Sequence, residues 1–446
     1  MKLTSPFIAT QLACFYEKHR FIVAYSGGID SHVLLHLLAS VPELKNKITA
    51  IYVHHGLQAC ADDWAVHCQQ CAQALAVDFQ AIKVNAKAKQ GQSPEEAARN
   101  ARYQAFKDIV QENDVLLFAQ HRNDQLETVL LQLFRGAGLK GLSGMPENIV
   151  FSKGQLLRPL LDVSQDEIKQ YANQHQLQWV EDPSNQDISF DRNFLRNEII
   201  PLLEQRWPSL DKTVARVAGH CAEAQSELSA SAKDKMLKLY DKETQSLSVL
   251  GLLEYEKKAQ QWVLREWFAY QSLRMPSVKV LTAIFTDILH ARPEANPVVQ
   301  FGGYTVRRYR NNLYCVAEQL PVDFQQTFLW LDAKPNLQLS NNGFLSAEPA
   351  AQGINRALWK GGSVEVRYRQ GGEKIALNNR EGRHSLKKLF QESGILPWLR
   401  DRLPIIYIDG QIAAIADLWV AKEFIGRDGE ACIKLNWQEI TSELKI

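Results

Sequence analysis

The chain has 446 residues, 46% hydrophobic and 23% charged, with a formal net charge of +1. That length calls for two to four domains, and the composition is that of a soluble globular protein, not a disordered or fibrous one. Near-zero net charge excludes a global field for nucleic acid, so any RNA surface must be a local basic patch, and no segment approaches the roughly 20 apolar residues of a membrane span.

Met1-Lys2-Leu3-Thr4 has no apolar signal core, and seven scattered cysteines read as reduced thiols, so a cytoplasmic setting is expected. Phe21 to Tyr25 is a short apolar run ending in a glycine turn, and His32 to Leu38 follows with helical spacing. Ile48 to Val53 reads as a second strand, Asp63 to Leu75 as a helix, and Phe79 to Val84 as a third strand. Ser93-Pro94-Glu95-Glu96 carries a capping-box pattern with proline at the first helical position. Val115 to Ala119 is a further buried-type strand, followed by a helix near Asp124 to Phe134.

This alternation predicts an α/β fold with a parallel, doubly wound sheet over residues 1–212. Ligands bind such sheets at the carboxyl ends of the strands, so the loops after Tyr25, Val53 and Ala119 carry the expectation. Beyond Trp207-Pro208 the pattern changes to a mainly helical middle domain, residues 213–335, with strand-like segments from about 297. Asn336 to Gly353 reads as a linker, and residues 356–446 as a small α+β domain in which Asp409-Gly410 marks a hairpin.

The loop Ser26-Gly27-Gly28-Ile29-Asp30-Ser31 lies between a strand and a helix. Two glycines let backbone N–H groups approach an anion, and the helix beyond adds its positive dipole end. Asp30 discriminates: a carboxylate beside phosphate needs a cation between them, which points to Mg²⁺. The plain alternative is a strand-to-helix turn capped by Asp or Ser. The loop is neither GxxxxGK[ST] nor GxGxxG, so γ-phosphate and hydride transfer lose ground.

These residues resemble the PP-loop ATP pyrophosphatase family, whose signature is SGGxDS. The resemblance implies ATP binding by its pyrophosphate, cleavage between the α and β phosphates, and adenylation of a substrate oxygen. It gives Ser26, Gly27, Gly28, Ile29, Asp30 and Ser31 to the nucleotide, with Val53 and His55 of Tyr52-Val53-His54-His55-Gly56-Leu57 near adenine and the α-phosphate. Asp30 is the expected metal ligand.

Further blocks resemble the tRNA(Ile)-lysidine synthetase family. Ala119-Gln120-His121-Arg122-Asn123-Asp124-Gln125-Leu126-Glu127-Thr128 continues into Arg135-Gly136-Ala137-Gly138-Leu139-Lys140-Gly141-Leu142. The family shows two aspartates before the glutamine; here the first is Asn123. Glu181-Asp182-Pro183-Ser184-Asn185, Phe190 to Arg196, Val306 to Arg310, Leu386 to Glu392 and Pro397 to Pro404 match as well. The resemblance implies ATP and Mg²⁺ as cofactors. It implies L-lysine and the CAU-anticodon tRNA(Ile) as partners, and lysidine formation at the wobble cytidine as the reaction.

Asp124 and Glu127, one helical turn apart, are the expected catalytic acids beside Asp30. They would position lysine and manage its protons; helix capping is the bland reading. Arg99 and Arg102 share a helix face and suit a lysine carboxylate or adenylate phosphate. Arg192, Asn193 and Arg196, and the cluster Lys387, Lys388, Arg400 and Arg402, are expected to meet tRNA phosphates. Solvated surface charge is the alternative for each. A homodimer stays open. The rival function is a PP-loop tRNA thiolation enzyme, kept alive by Cys68-Gln69-Gln70-Cys71, with His67 as weak zinc evidence for want of a further ligand.

Overall fold

The structure, a computed structural model, describes residues 3–17, 20–56, 61–87, 94–292, 295–331 and 335–438. Two compact units divide it, Met1–Leu228 and Ser229–Ile446, with the division inside the helix Leu210–Leu239. The expected boundary at residue 212 lies near that helix's start.

In the first unit, helix α1 (Ser5–Leu12) precedes β1 (Phe21–Ala24), α2 (Ile29–Ala39), β2 (Ile48–His54), α3 (Ala61–Ala74) and β3 (Asp78–Lys83). Then come α4 (Pro94–Ile109), β4 (Val115–Leu117), α5 (Arg122–Phe134) and the hairpin β5 (Asn148–Phe151) and β6 (Gly154–Leu157). The sheet order is β3-β2-β1-β4-β6-β5, with every pair parallel except β5 and β6. The capping box expected at Ser93 lies outside the described residues.

Strands β1 and β4 read as continuous apolar runs because both sheet faces are covered. Phe21 and Val23 enter one core with Leu34 and Leu38 of α2. Ile22 and Leu116 enter a second core with Phe106 of α4. The chain winds to one side of β1 through β2 and β3, then returns to pair β4 on the other side. That reversal opens a crevice at the carboxyl ends of β1 and β4, where a doubly wound sheet takes its ligand. The loops starting at Tyr25 and Phe118 border it.

In the second unit, helices Val249–Leu253, Lys257–Tyr270 and Val278–Ala283 pack with a five-stranded sheet around Trp267 and Phe268. A second core there gathers Trp359, Phe390 and Ile406 between two further antiparallel sheets and the helix Leu386–Glu392. Two expectations are corrected. The supposed linker 336–353 is sheet: Phe344–Ala350 pairs along its whole length with Cys432–Gln438, burying Leu339 and Leu345. The strand FLSAEPA carries Ser346, Glu348 and Pro349, so it lacks the apolar alternation that marks a half-buried strand. Phe328–Leu329, assigned to the middle domain, pairs with Val364–Arg367 and so belongs to the C-terminal core.

Candidate active site

The loop after β1 folds around its own serines. Ser31 Oγ donates to the Gly28 carbonyl at 3.0 Å and accepts from the Ser26 amide at 3.2 Å. Ser26 Oγ lies 3.1 Å from Ser31 Oγ and accepts from the Gly28 amide at 3.4 Å. Gly27 has φ +80°, and a Cβ there would lie 2.8 Å from Cys68 Sγ on α3. Only glycine meets both the backbone demand and the close approach. Gly28 is the N-cap of α2 and offers no side chain, so the first-turn amides stay open to an anion.

Asp30, in the first turn of α2, faces the loop after β4. His121, the buried N-cap of α5, sets Nε2 at 3.6 Å from Asp30 Oδ1 and 3.5 Å from Asp124 Oδ2. Asp124 Oδ2 also accepts from the His121 amide at 3.1 Å, so the carboxylate caps its own helix as well as facing the site. Asp30 Oδ1 is buried with no hydrogen-bond partner. Burial pushes the Asp30 carboxyl above its ordinary range, with Asp124 and Glu127 adding to it against the pull of His121 and Arg196. A hard, partnerless carboxylate oxygen fits a divalent cation, which would offset that penalty.

Glu127, one turn further along α5, is fully buried. It accepts from Arg192 Nε at 2.6 Å and from Arg196 Nε and Nη2 at 2.6 and 2.9 Å. Asp124 Oδ1 accepts from Arg192 Nη2 at 2.9 Å and Arg196 Nη2 at 3.3 Å. Burial works against the Asp124 charge, but His121, Arg192 and Arg196 outweigh it and hold the carboxyl below its ordinary range. The two arginines reach the same acid from a helical stretch that widens into a π turn at Leu195–Ile199.

Arg192 and Arg196 therefore point inward to the acids, where spacing alone suggested an outward RNA face. Asn193 donates to the carbonyls of Ser184 and Asp187 and fixes the preceding loop. Asn123 turns away from the acids and accepts from the Gln165 amide at 3.0 Å at the start of the helix Gln165–Gln174. Gln125 grips Met145, its Oε1 accepting from the Met145 amide at 2.7 Å and its Nε2 donating to the carbonyl at 2.9 Å.

A cavity of about 590 Å³ adjoins the cluster, walled by His55, Arg102, Arg192, Arg196, Tyr52 and Trp64. Burial, then the positive charge of Arg102, then His54, depress His55 to about 4, so its imidazole is neutral at neutral pH. Val53 sits in the core beside it. Arg99 and Arg102 part company: Arg102 lines the cavity, while Arg99 stacks on Tyr103, 4.9 Å from the ring centre.

In the second unit, Lys387 and Lys388 are exposed on the helix Leu386–Glu392. Arg400 donates to the Ile395 carbonyl and the Tyr309 hydroxyl. Arg402 is corrected: it is buried, donating to the carbonyls of Leu320 and Asn341, and is a structural residue and not a surface cation. His121 is the site residue the sequence reading left without a role. Its signal was its place as the residue before α5, at the end of a strand-to-helix loop.

A glycine-rich strand-to-helix loop meeting a buried carboxylate cluster at the switch point defines a nucleotide-dependent enzyme of the PP-loop class, and residues 4–203 match the family model described as the PP-loop domain. Residues 247–314 match the TilS substrate binding domain and residues 364–437 the TilS substrate C-terminal domain. The chain is 40% identical over 419 residues to tRNA(Ile)-lysidine synthase of Methylococcus capsulatus, covering 93% of this chain and 95% of that one. The Coxiella burnetii tRNA(Ile)-lysidine synthase is 39% identical, over 92% and 91% of the two chains. The solved U34-tRNA thiolase NcsA of Methanococcus maripaludis, at 16% identity and TM-score 0.42 over 49% of this chain and 78% of that one, is too slight a likeness to carry an argument. The chain belongs to the tRNA(Ile)-lysidine synthase family.

Proposed function

We propose that the chain joins the ε-amine of L-lysine to C2 of the wobble cytidine in the CAU-anticodon tRNA(Ile), splitting ATP to AMP and pyrophosphate. The observation that carries this reading is the meeting of two loops. The nucleotide loop brings Asp30 to His121 at 3.6 Å, and His121 stands 3.5 Å from Asp124. A site for an anionic leaving group thus abuts a site for a cationic nucleophile.

The C2 carbonyl of cytosine is a poor electrophile. Its oxygen attacks the α-phosphorus of ATP and pyrophosphate departs, leaving AMP on that oxygen. The lysine amine then forms the C–N bond at C2, and the C2–O bond breaks as AMP leaves. The amides and hydroxyls from Ser26 to Ser31 hold the departing pyrophosphate. Asp30 would hold Mg²⁺, whose charge supports that departure. Neutral His55 accepts or donates a hydrogen bond at the cavity wall without repelling Arg102.

Lysine arrives as an ammonium and attacks as an amine. Asp124 holds the ammonium and takes the proton that the amine gives up. Glu127 fixes Arg192 and Arg196 so that they brace Asp124. Arg102 supplies a cation for the lysine carboxylate or the adenylate phosphate. The exposed Lys387 and Lys388 meet tRNA phosphates. The target base leaves the anticodon stack to enter the cavity, which keeps water from the adenylate. No described helix is long and apolar enough to cross a membrane, and we place the reaction in the cytoplasm.

The test is incorporation of labelled lysine into bulk tRNA with ATP and Mg²⁺, following AMP in parallel. Alkali-stable label mapping to the CAU tRNA(Ile) is the expected result. AMP release without lysine incorporation would overturn the choice of nucleophile, and absence of AMP would overturn the adenylating chemistry.

A further inference from the structure

Behind the nucleotide loop lies a cluster that the reaction above does not use. His32, on the first turns of α2, meets His67 and Cys71 of α3, with one ligating atom from each inside a 4.8 Å sphere of mutual distance. His67 and Cys71 are four residues apart and share a helix face. Sequence spacing supplied only that pair, and folding brings the third donor from a different helix.

The pair is already set for a metal. His67 Nε2 and Cys71 Sγ lie 3.5 Å apart. Tetrahedral zinc, with Zn–S near 2.3 Å and Zn–N near 2.0–2.1 Å, puts S and N ligands about 3.5 Å apart. His32 is buried at 5% exposure, and its Nδ1 is buried without a hydrogen-bond partner. A buried ring nitrogen left without a partner costs free energy, which an incoming ligand would recover. His67 and Cys71 are only half-buried residues, which leaves this side of the cluster nearer solvent.

We propose that His32, His67 and Cys71 form a three-ligand site for a thiophilic divalent cation of the zinc type, completed by water. Two imidazoles and a thiolate favour zinc over Mg²⁺, which wants an oxygen cage, so this site and the hard oxygen site at Asp30 select different ions. Cys71 releases its thiol proton to solvent as the metal–sulfur bond forms. The ion stitches α2 to α3. Because His32 follows Asp30 and Ser31 directly, and Cys68 on α3 backs Gly27, the stitch steadies the nucleotide loop from behind.

The test uses the full chain stripped with chelator and titrated with Co²⁺ and Zn²⁺ in excess Mg²⁺. One equivalent of Co²⁺ is expected to give the near-ultraviolet thiolate charge-transfer band and visible bands of tetrahedral intensity, both bleached by one equivalent of Zn²⁺. Cys71→Ser abolishes the charge-transfer band, His32→Ala weakens Co²⁺ binding at least tenfold, and Cys221→Ser changes neither. In the unaltered chain, Zn²⁺ protects Cys71 from alkylation, read by peptide mass spectrometry, so the outcome does not depend on a variant folding. Absence of a thiolate band together with undiminished Cys71 alkylation in Zn²⁺ overturns the proposal, as does a Cys71→Ser protein that titrates like the parent.

Discussion

Glu127→Gln isolates the charge at the centre of the acid cluster while keeping its shape. The carboxylate accepts three hydrogen bonds from two guanidiniums, at 2.6, 2.6 and 2.9 Å. An amide keeps one acceptor and turns a donor toward an arginine, so at least one of those bonds becomes a clash of donors. Removing one member of a buried ion pair costs about 3–5 kcal/mol. The arginine side chains are 25% and 32% exposed, so water recovers part of that, and about 2–3 kcal/mol is expected. In a unit the size of Met1–Leu228, this lowers Tm by about 5–10 °C. The assay is calorimetric unfolding of the full chain at pH 7, beside Arg192→Met and the double variant. The double variant is expected to be less destabilised than the sum of the singles, because the first change already strands its partner. A Glu127→Gln protein within about 0.5 kcal/mol of the parent, or strict additivity, refutes the argument that these charges depend on one another.

Four further outcomes follow from the same geometry. Gly27→Ala forces a Cβ to within 2.8 Å of Cys68 Sγ at φ +80°; equilibrium dialysis should show ATP affinity reduced at least tenfold, with about 1–2 kcal/mol of stability lost. Asp30→Asn should abolish AMP release yet raise Tm by a degree or two. Burial raises this carboxyl, so its charge is a penalty at pH 7 that is relieved as pH falls through the raised value, and the gain should vanish by pH 3. His55, depressed to about 4, should show an NMR titration midpoint well below 6.5; stability tied to it is full above pH 6.5 and is lost as pH falls toward 4. Lys387→Ala should lower the slope of log K for tRNA against log salt by about 1, whereas Arg402→Met should leave that slope unchanged and lower Tm, because Arg402 is buried against carbonyls.

The nucleotide loop was legible because its chemistry is local: glycines, hydroxyls and a helix start within six residues. The acids at 124 and 127 were legible for the same reason, one turn apart on one helix. What those acids touch was not, because Arg192 and Arg196 lie more than 60 residues away and helical spacing is silent on which way a face turns. Arg402 misled because a buried arginine satisfied by carbonyls has the same letter as a solvated one, and of that cluster Lys387 and Lys388 are exposed while Arg400 is half-buried. The strands between 336 and 353 were hidden by their polar residues, with Ser346, Glu348 and Pro349 inside the seven-residue strand Phe344–Ala350. Their partner at 432–438 stands some 85 residues further on. Strands β1, β2 and β4 were legible because buried parallel strands are apolar runs that need no knowledge of their neighbours, whereas the hairpin β5 and β6 was not read from the sequence.

The acid cluster also has an electrical consequence. Three carboxylates, Asp30, Asp124 and Glu127, stand near two guanidiniums, and both arginines bind Asp124 and Glu127. The charges of Asp124 and Glu127 are answered by those two arginines, and the charge left over is that of Asp30, at the nucleotide loop. The paired acids are thus a balanced, fixed wall, and the unbalanced charge of the cluster sits where the loop opens.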